Sequence, residues 1–275
     1  MKPRRFDYVR PDSADEALAL LAEHGDAASV LAGGQSLMAM LNLRLAEPAV
    51  LIDISRLTEL DYIRLADGKV EIGAAVTQNR LKDWPDLADK LPLLAAALPF
   101  VGHFQTRNKG TVCGSIAHAD PSSEIPLVLA TLAGEVVLRS QQGTRVLAAS
   151  DFQRGMLTTA RAPDELIVAV RFPVQSTRGV AFREVARRHG DFAIIAVAAC
   201  VEDRNAVRIG IGGVADRPAV RSAKLDSAAD ARDMFESLAL ELGGYDDLHA
   251  SALLRRDLLR RLGPIVVQEA LQCAA

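Results

Sequence analysis

The sequence predicts an α+β protein of successive units, and three observations carry that expectation. Residues 6 to 54 run strand, helix, strand, helix, strand; residues 69 to 173 mix strands and helices around a hairpin; from Gly179 onward three strand-like runs precede two or three helix-like ones. With 275 residues, 49% of them hydrophobic, the chain buries a sizeable core yet exceeds the usual size of a single one, so two or three subdomains are expected.

Taken in order, Phe6 to Arg10 reads as a short strand. Ser13 followed by Glu16 is a capping-box signature for a helix that Gly25 closes, with Ala17, Leu18 and Leu21 as its apolar stripe. Ala28 to Ala32 is strand-like, Leu37 to Leu45 helix-like up to a stop at Pro48, and Val50 to Ile54 strand-like again, a βαβ unit. Met38 and Met40 follow the apolar pattern of that helix and read as core filling. In the second unit Val70 to Ala75 is a strand, Lys90 to Phe100 and Ile125 to Leu132 are helices, and Glu135 to Leu147 is a hairpin turning at Gln142-Gly143. The polar connection from Pro99 to Lys109 is a common kind of place for binding residues. In the third, Val180 to Val185, Phe192 to Val201 and Val207 to Val214 read as antiparallel strands with a turn at Asp203-Arg-Asn205, and helices follow between Ala228 and Leu271.

Composition excludes several classes of function. The net charge of −3, from 32 basic and 35 acidic residues, comes with no basic run interleaved with aromatics, so no nucleic-acid partner is expected. No apolar run reaches a membrane span and the first residues do not resemble a signal peptide, which makes the cytoplasm the default location. Cys113, Cys200 and Cys273 are scattered and odd in number, and His24, His103, His118, His189 and His249 show no metal-ligand spacing. No disulfide framework, iron–sulfur cage or zinc site is therefore expected on this chain, and no catalytic acid or base stands out.

Two glycine-bearing loops carry the chemistry. Val30-Leu-Ala-Gly-Gly-Gln-Ser-Leu37 joins a strand to a helix, and Gly33 and Gly34 allow a ligand close to a backbone whose free N–H groups suit a diphosphate. Gly110-Thr-Val-Cys-Gly-Ser-Ile-Ala-His-Ala-Asp-Pro-Ser-Ser-Glu124 repeats that chemistry through Thr111, Gly114 and Ser115, then ends in Asp120 and Glu124, acceptors suited to ribose or ribityl hydroxyls. Either loop alone is also compatible with an ordinary βα turn; the pair suggests two halves of one dinucleotide site. A third glycine run, Gly210-Ile-Gly-Gly-Val-Ala215, matches G-x-G-x-x-A, but the polar Asp216-Arg-Pro218 that follows cannot open the required helix, and the run reads as a strand exit.

Together the loops resemble the FAD-binding medium subunit of the molybdenum hydroxylases, the group containing carbon monoxide dehydrogenase and xanthine dehydrogenase. That family shows an Ala-Gly-Gly-x-Ser loop and a Thr-Ile-Gly-Gly loop leading to an Ala-His-Ala-Asp-Pro tail. Here they read Ala32-Gly33-Gly34-Gln35-Ser36, Thr111-Val112-Cys113-Gly114 and Ala117-His118-Ala119-Asp120-Pro121, with Cys113 where the family usually has the first glycine of its pair. The resemblance continues through Asp164 to Pro173, Phe182 to Arg188 with Gly190 to Ala193, and Arg255 to Leu262, nearly the whole chain.

The resemblance implies a two-subdomain FAD-binding fold of the vanillyl-alcohol-oxidase (PCMH-like) type over residues 1–55 and 56–177. A C-terminal domain of the carbon monoxide dehydrogenase flavoprotein type, a three-stranded antiparallel sheet with helices, would follow over residues 178–275. FAD would be held by Val30, Leu31, Ala32, Gly33, Gly34, Gln35, Ser36 and Leu37, and by Thr111, Gly114, Ser115, Ala117, Asp120 and Glu124, with Phe192 beside the isoalloxazine and Arg183 within reach of it. It further implies a small subunit with [2Fe-2S] clusters and a large molybdopterin subunit, assembled as a dimer of heterotrimers, with electrons leaving through FAD to NAD or another acceptor. Two other readings stay open: a free-standing FAD-dependent oxidoreductase of the same fold, and a non-catalytic assembly subunit.

Overall fold

The computed structural model describes residues 2–176, 179–225 and 227–274. The first unit consists of β1 (Asp7–Val9), α1 (Ala14–His24), β2 (Ala28–Leu31), α2 (Leu37–Leu43) and β3 (Val50–Asp53), its strands forming a parallel sheet in the order β1-β3-β2. Ser13 caps α1 by accepting from the Glu16 N–H at 3.2 Å, and Ala14, Ala17, Leu18 and Leu21 are buried. The capping box is only half formed, because the Glu16 carboxylate accepts from the Asp12 N–H at 2.7 Å rather than from Ser13. Helix α2 ends before Pro48 comes into play: Arg44 turns left-handed at φ 59° and its N–H returns to the Leu41 carbonyl. Met38 is exposed and Met40 half-buried, so neither fills the core; Leu41 alone is buried, because so short a helix turns one narrow stripe inward.

The second unit contains β4 (Ile63–Ala66), β5 (Lys69–Gly73), α3 (Gln78–Lys82), α4 (Leu87–Lys90), α5 (Pro92–Ala97), α6 (Phe104–Arg107), α7 (Val112–His118), α8 (Glu124–Thr131), β6 (Glu135–Ser140), β7 (Gly143–Ala148), α9 (Ala149–Phe152), β8 (Gln153–Gly155), β9 (Thr158–Thr159) and β10 (Leu166–Pro173). Its main sheet is antiparallel in the order β4-β5-β10-β6-β7, and β8 and β9 pair separately. The helix expected over Lys90 to Phe100 is divided at Leu91, which takes φ −135° because a residue before proline avoids the helical region. Ser140 pairs with Gly143, so the hairpin turns on Gln141-Gln142, one residue earlier than expected. On β5 the buried Glu71 gathers Tyr62 Oη at 2.7 Å, Arg64 Nη2 at 2.6 Å and Arg171 Nε at 2.6 Å, stitching three strands of one face.

The third unit is a four-stranded antiparallel sheet of β11 (Val180–Val185), β12 (Ile195–Asp203), β13 (Ala206–Gly212) and β14 (Ala219–Lys224), covered by α10 (Ala228–Leu242) and α11 (Ala252–Ala274). This corrects the expected three strands. Pro218 precedes β14 instead of interrupting it, and the partly exposed edge strand lacks the apolar run that signals a strand. Strand β12 starts at Ile195, leaving Phe192 in the connection before it. One face of the sheet, with Ala181, Val197, Ala199, Ile209 and Ile211, packs on α10 and α11; the other, with Phe182, Ala196, Ala198 and Cys200, joins the core of the first two units. Gly210 and Gly212 serve that second packing: a Cβ on Gly210 would overlap the Thr131 hydroxyl of α8. The glycine run is thus a strand whose exit leads to β14, with no dinucleotide helix after it. The expected boundary between residues 177 and 178 lies outside the described residues.

Candidate cofactor site

The parallel strand β2 delivers the first glycine loop against the start of the second. A Cβ on Gly33 would overlap the Lys109 carbonyl oxygen and stand 2.7 Å from Gly110 Cα, so only glycine permits the contact. Gly34 takes φ +70°, a value that L side chains rarely adopt. Ser36 lies at the helix start without a side-chain cap bond, and the N–H groups of Gln35, Ser36 and Leu37 meet no carbonyl among the described residues. They remain as donors at the mouth of a cleft.

The second loop is more regular than its sequence suggests. Thr111 caps α7, its Oγ1 accepting from the Gly114 N–H at 3.0 Å, and a Cβ on Gly114 would lie 2.7 Å from that oxygen. Cys113 has no positive φ; it is helical and buried, with Sγ 3.6 Å from the Ile72 carbonyl oxygen, and burial pushes its thiol pKa up. The family's glycine is therefore not required here by backbone conformation. Gln78 N–H donates to the Gly110 carbonyl at 2.8 Å, holding α3 against the loop, while Gln78 Oε1 is buried without a partner.

Between the loops lies a cleft of about 670 Å³, a size usual for small-molecule sites. Val30, Ala32, Gly33, Gly34, Gln35, Ser36, Leu37, Thr111, Gly114, Ser115, Ala117, Glu124 and Phe192 line it. Phe192, 55% exposed, enters from the connection between β11 and β12 together with Gly190, whose φ of +85° keeps it against His103 and Gly102. Three expected residues are not among those lining the cleft. Leu31 is not part of the lining; Asp120 Oδ1 is occupied by the Ser122 N–H at 2.8 Å. Arg183 lies on the face of β11 turned toward α11, where Nη2 pairs with Glu269 at 2.6 Å. Strand alternation decides this last case, because Phe182 and Glu184 take the face toward the cleft side.

Other lining residues went unmarked in the sequence. Arg161 and Glu165 line it too: Glu165 is held by Arg145 at 2.5 and 2.7 Å, and Arg161 Nη1 donates to the carbonyls of Ala162 and Glu165. Burial pulls the Arg161 pKa down, while Arg145 holds the Glu165 carboxyl below the usual range. His118, half-buried at the end of α7, also borders the cleft, and burial lowers its pKa against the opposing charge of Asp120. His118 lies in the tail of the second loop that the sequence marks, and Gln78 follows a threonine cap at Thr77; Arg161 and Glu165 are brought to the cleft by tertiary folding.

The residues present fit a dinucleotide: two close-packed glycine loops with free N–H donors, an orphaned Gln78 amide oxygen, and a cleft bordered by an exposed aromatic ring. Residues 4–175 match the family described as FAD binding domain in molybdopterin dehydrogenase. The chain is 41% identical over 224 residues to caffeine dehydrogenase subunit beta of Pseudomonas sp. (strain CBB1), covering 79% of this chain and 76% of that one. It is 40% identical over 195 residues to the carbon monoxide dehydrogenase medium chain of Hydrogenophaga pseudoflava, covering 70% and 68%. The crystal structure of quinoline 2-oxidoreductase from Pseudomonas putida 86 superposes with a TM-score of 0.92 at 34% identity, over 100% of this chain and 99% of that one. With that match over more than half its length, the chain belongs to the FAD-binding medium subunits of the molybdenum hydroxylase family.

Proposed function

We propose that this chain holds one non-covalent FAD between its two glycine loops and passes electrons from an iron–sulfur subunit to NAD or another acceptor. The observation that carries the reading is the contact of Gly33 with Lys109 and Gly110, which brings both loops to one cleft. In this reading residues 1–55 and 56–177 are two FAD-binding subdomains of the vanillyl-alcohol-oxidase type, and 178–275 the C-terminal domain. When bound, FAD stores two electrons and releases them to an acceptor. The chain's own residues bind and orient it. The N–H groups of Gln35, Ser36 and Leu37 and the second loop would face the diphosphate, Glu124 the cofactor hydroxyls, and Phe192 the isoalloxazine. Hydrogen bonds to charged acceptors contribute about 1.5 to 3 kcal/mol each, so four or five such donors support roughly micromolar binding or better.

The reaction on the organic substrate would belong to a large molybdopterin subunit and the electron relay to a small [2Fe-2S] subunit, assembled with this chain as a dimer of heterotrimers in the cytoplasm. Two observations support a division of labour. Among the described residues no His, Cys, Asp or Glu cluster gathers for a metal, and the relatives are subunits or chains of dehydrogenases. No helix is long and apolar enough to cross a membrane. The test is stopped-flow absorbance at the flavin bands. Chemical reductants should bleach the isolated yellow chain. Purines, pyridine-type heterocycles, aldehydes and carbon monoxide should leave it oxidised until the iron–sulfur and molybdenum subunits are added. Rapid bleaching of the chain alone by such a substrate would instead establish a self-sufficient oxidoreductase.

A further inference from the structure

The β8–β9 hairpin turns on two residues, Met156 and Leu157, between Gly155 and its partner Thr158. Leu157 takes φ 52°, the left-handed region in which a leucine Cβ crowds its own backbone; Met156 has no positive φ. A turn with positive φ at this position ordinarily carries glycine or asparagine, so the chain keeps a large apolar residue here against the local preference. The bend is held from outside the hairpin. Leu157 N–H donates to the Ala119 carbonyl at 3.0 Å, and the same oxygen accepts from Gln153 Nε2 at 2.9 Å, which ties the hairpin to the tail of the second glycine loop.

Backbone strain persists where surrounding structure fixes it, and it gathers at ligand clamps. Of the non-glycine residues with positive φ among the described residues, Leu157 alone lines the cleft. It is 50% exposed, so much of its apolar side chain is bare to water. Met156 beside it is as exposed but is not part of the lining. The strain therefore falls on the residue that reaches the cleft and not on its neighbour.

We propose that Leu157 is an aliphatic clamp that covers the face of a planar ring of the bound cofactor. The inference rests on the FAD reading of the cleft. FAD brings two such rings, the isoalloxazine and the adenine, and burying the bare part of Leu157 against either is favoured in proportion to the apolar area removed from water. The pinned bend fixes the position of the side chain before the ring arrives, which lowers the ordering cost of binding. Asparagine or glycine would relax the turn and lose the contact.

The experiment compares the deflavinated full-length chain with its Leu157→Asn and Leu157→Gly variants, by thermal melting and by titration with FAD. Without cofactor both variants should melt within about 2 °C of the native chain, because relief of the turn offsets the packing lost. Their FAD affinity should fall about fivefold to tenfold, the loss expected for half a leucine side chain left uncovered. Leu157→Met, which keeps the apolar contact, and Met156→Asn, which leaves the cleft untouched, should both bind within about twofold of the native chain. FMN and ADP, each carrying one ring, tell the two apart: weakened FMN binding places Leu157 on the isoalloxazine, and weakened ADP binding places it on the adenine. Native FAD affinity in Leu157→Asn and Leu157→Gly overturns the proposal, as does an equal loss in Met156→Asn. If the native chain itself binds no FAD, the reading of the cleft fails, and this inference with it.

Discussion

Gly33 packs so closely on Gly110 that a Cβ on the first would stand 2.7 Å from the Cα of the second. Two loops some eighty residues apart in the sequence thereby become one wall, and replacing Gly33 should open it. Gly33→Val is expected to cost about 1 to 3 kcal/mol of stability through overpacking and to remove most bound flavin. A variant that purifies folded, with unchanged melting temperature and full yellow colour, would show that the contact does not build the site.

Cys113 departs from the family's glycine pair without strain, because it is helical and packed behind the loop. Restoring the family residue with Cys113→Gly should therefore lower stability by about 1 kcal/mol or somewhat more, from helix propensity and a lost buried side chain, while FAD affinity stays within a few-fold. Denaturant titration and fluorescence quenching of the flavin measure the two effects separately. A stabilised variant would mean that the helix is strained at this position after all.

Arg255 is 1% exposed and ties α11 to the ends of two strands, with Nη1 at 2.5 Å from the Ile194 carbonyl and 2.6 Å from that of Gly213. Its Nη2 meets Asp247 at 2.6 Å and its guanidinium lies 4.2 Å from the Tyr245 ring centre. Arg255→Met should destabilise the chain by about 3 kcal/mol or more, since it strands buried carbonyls and an acidic partner. Arg255→Lys should recover only part of this, because a point charge cannot reach carbonyls and carboxylate together. Equal stability of the lysine variant and the native chain in denaturant would contradict that geometry.

Glu71 is buried, which opposes its charge, but Tyr62, Arg171 and Arg64 together hold its carboxyl below the ordinary glutamate range. A depressed folded-state pKa adds stability that is complete above the unfolded pKa of about 4.3 and disappears as the pH falls through the folded value. Glu71→Gln should destabilise at pH 7 and flatten the acid limb of stability between about pH 5 and 3. If both proteins lose stability in parallel over that range, the proton is taken up elsewhere.

Much of the architecture was legible because it is written in local patterns. Ser13 and Gly25 bracket α1, the apolar run of Val50 to Ile54 contains β3, and the break after Gln142 lies one residue from the true hairpin turn. These features depend on spacing of a few residues, which capping and strand chemistry read directly. Where a segment's state depends on its neighbours, local reading failed. Strand β14 exists because β13 offers it an edge, and Met38 is exposed although it follows the apolar pattern of α2.

For the site, the sequence marked the two glycine loops and Glu124, and the family resemblance marked Phe192; all of these border the cleft. Only the tertiary structure decided that Arg183 faces Glu269 instead, because one residue of strand register sends a side chain to the opposite face of a sheet. It likewise decided that Gln78, Arg161 and Glu165 join the cleft, since long-range packing brings them together and no sequence spacing records it. Periodicity and capping act within a few residues, whereas charge, burial and cavity shape are properties of groups that become neighbours only when the chain has folded.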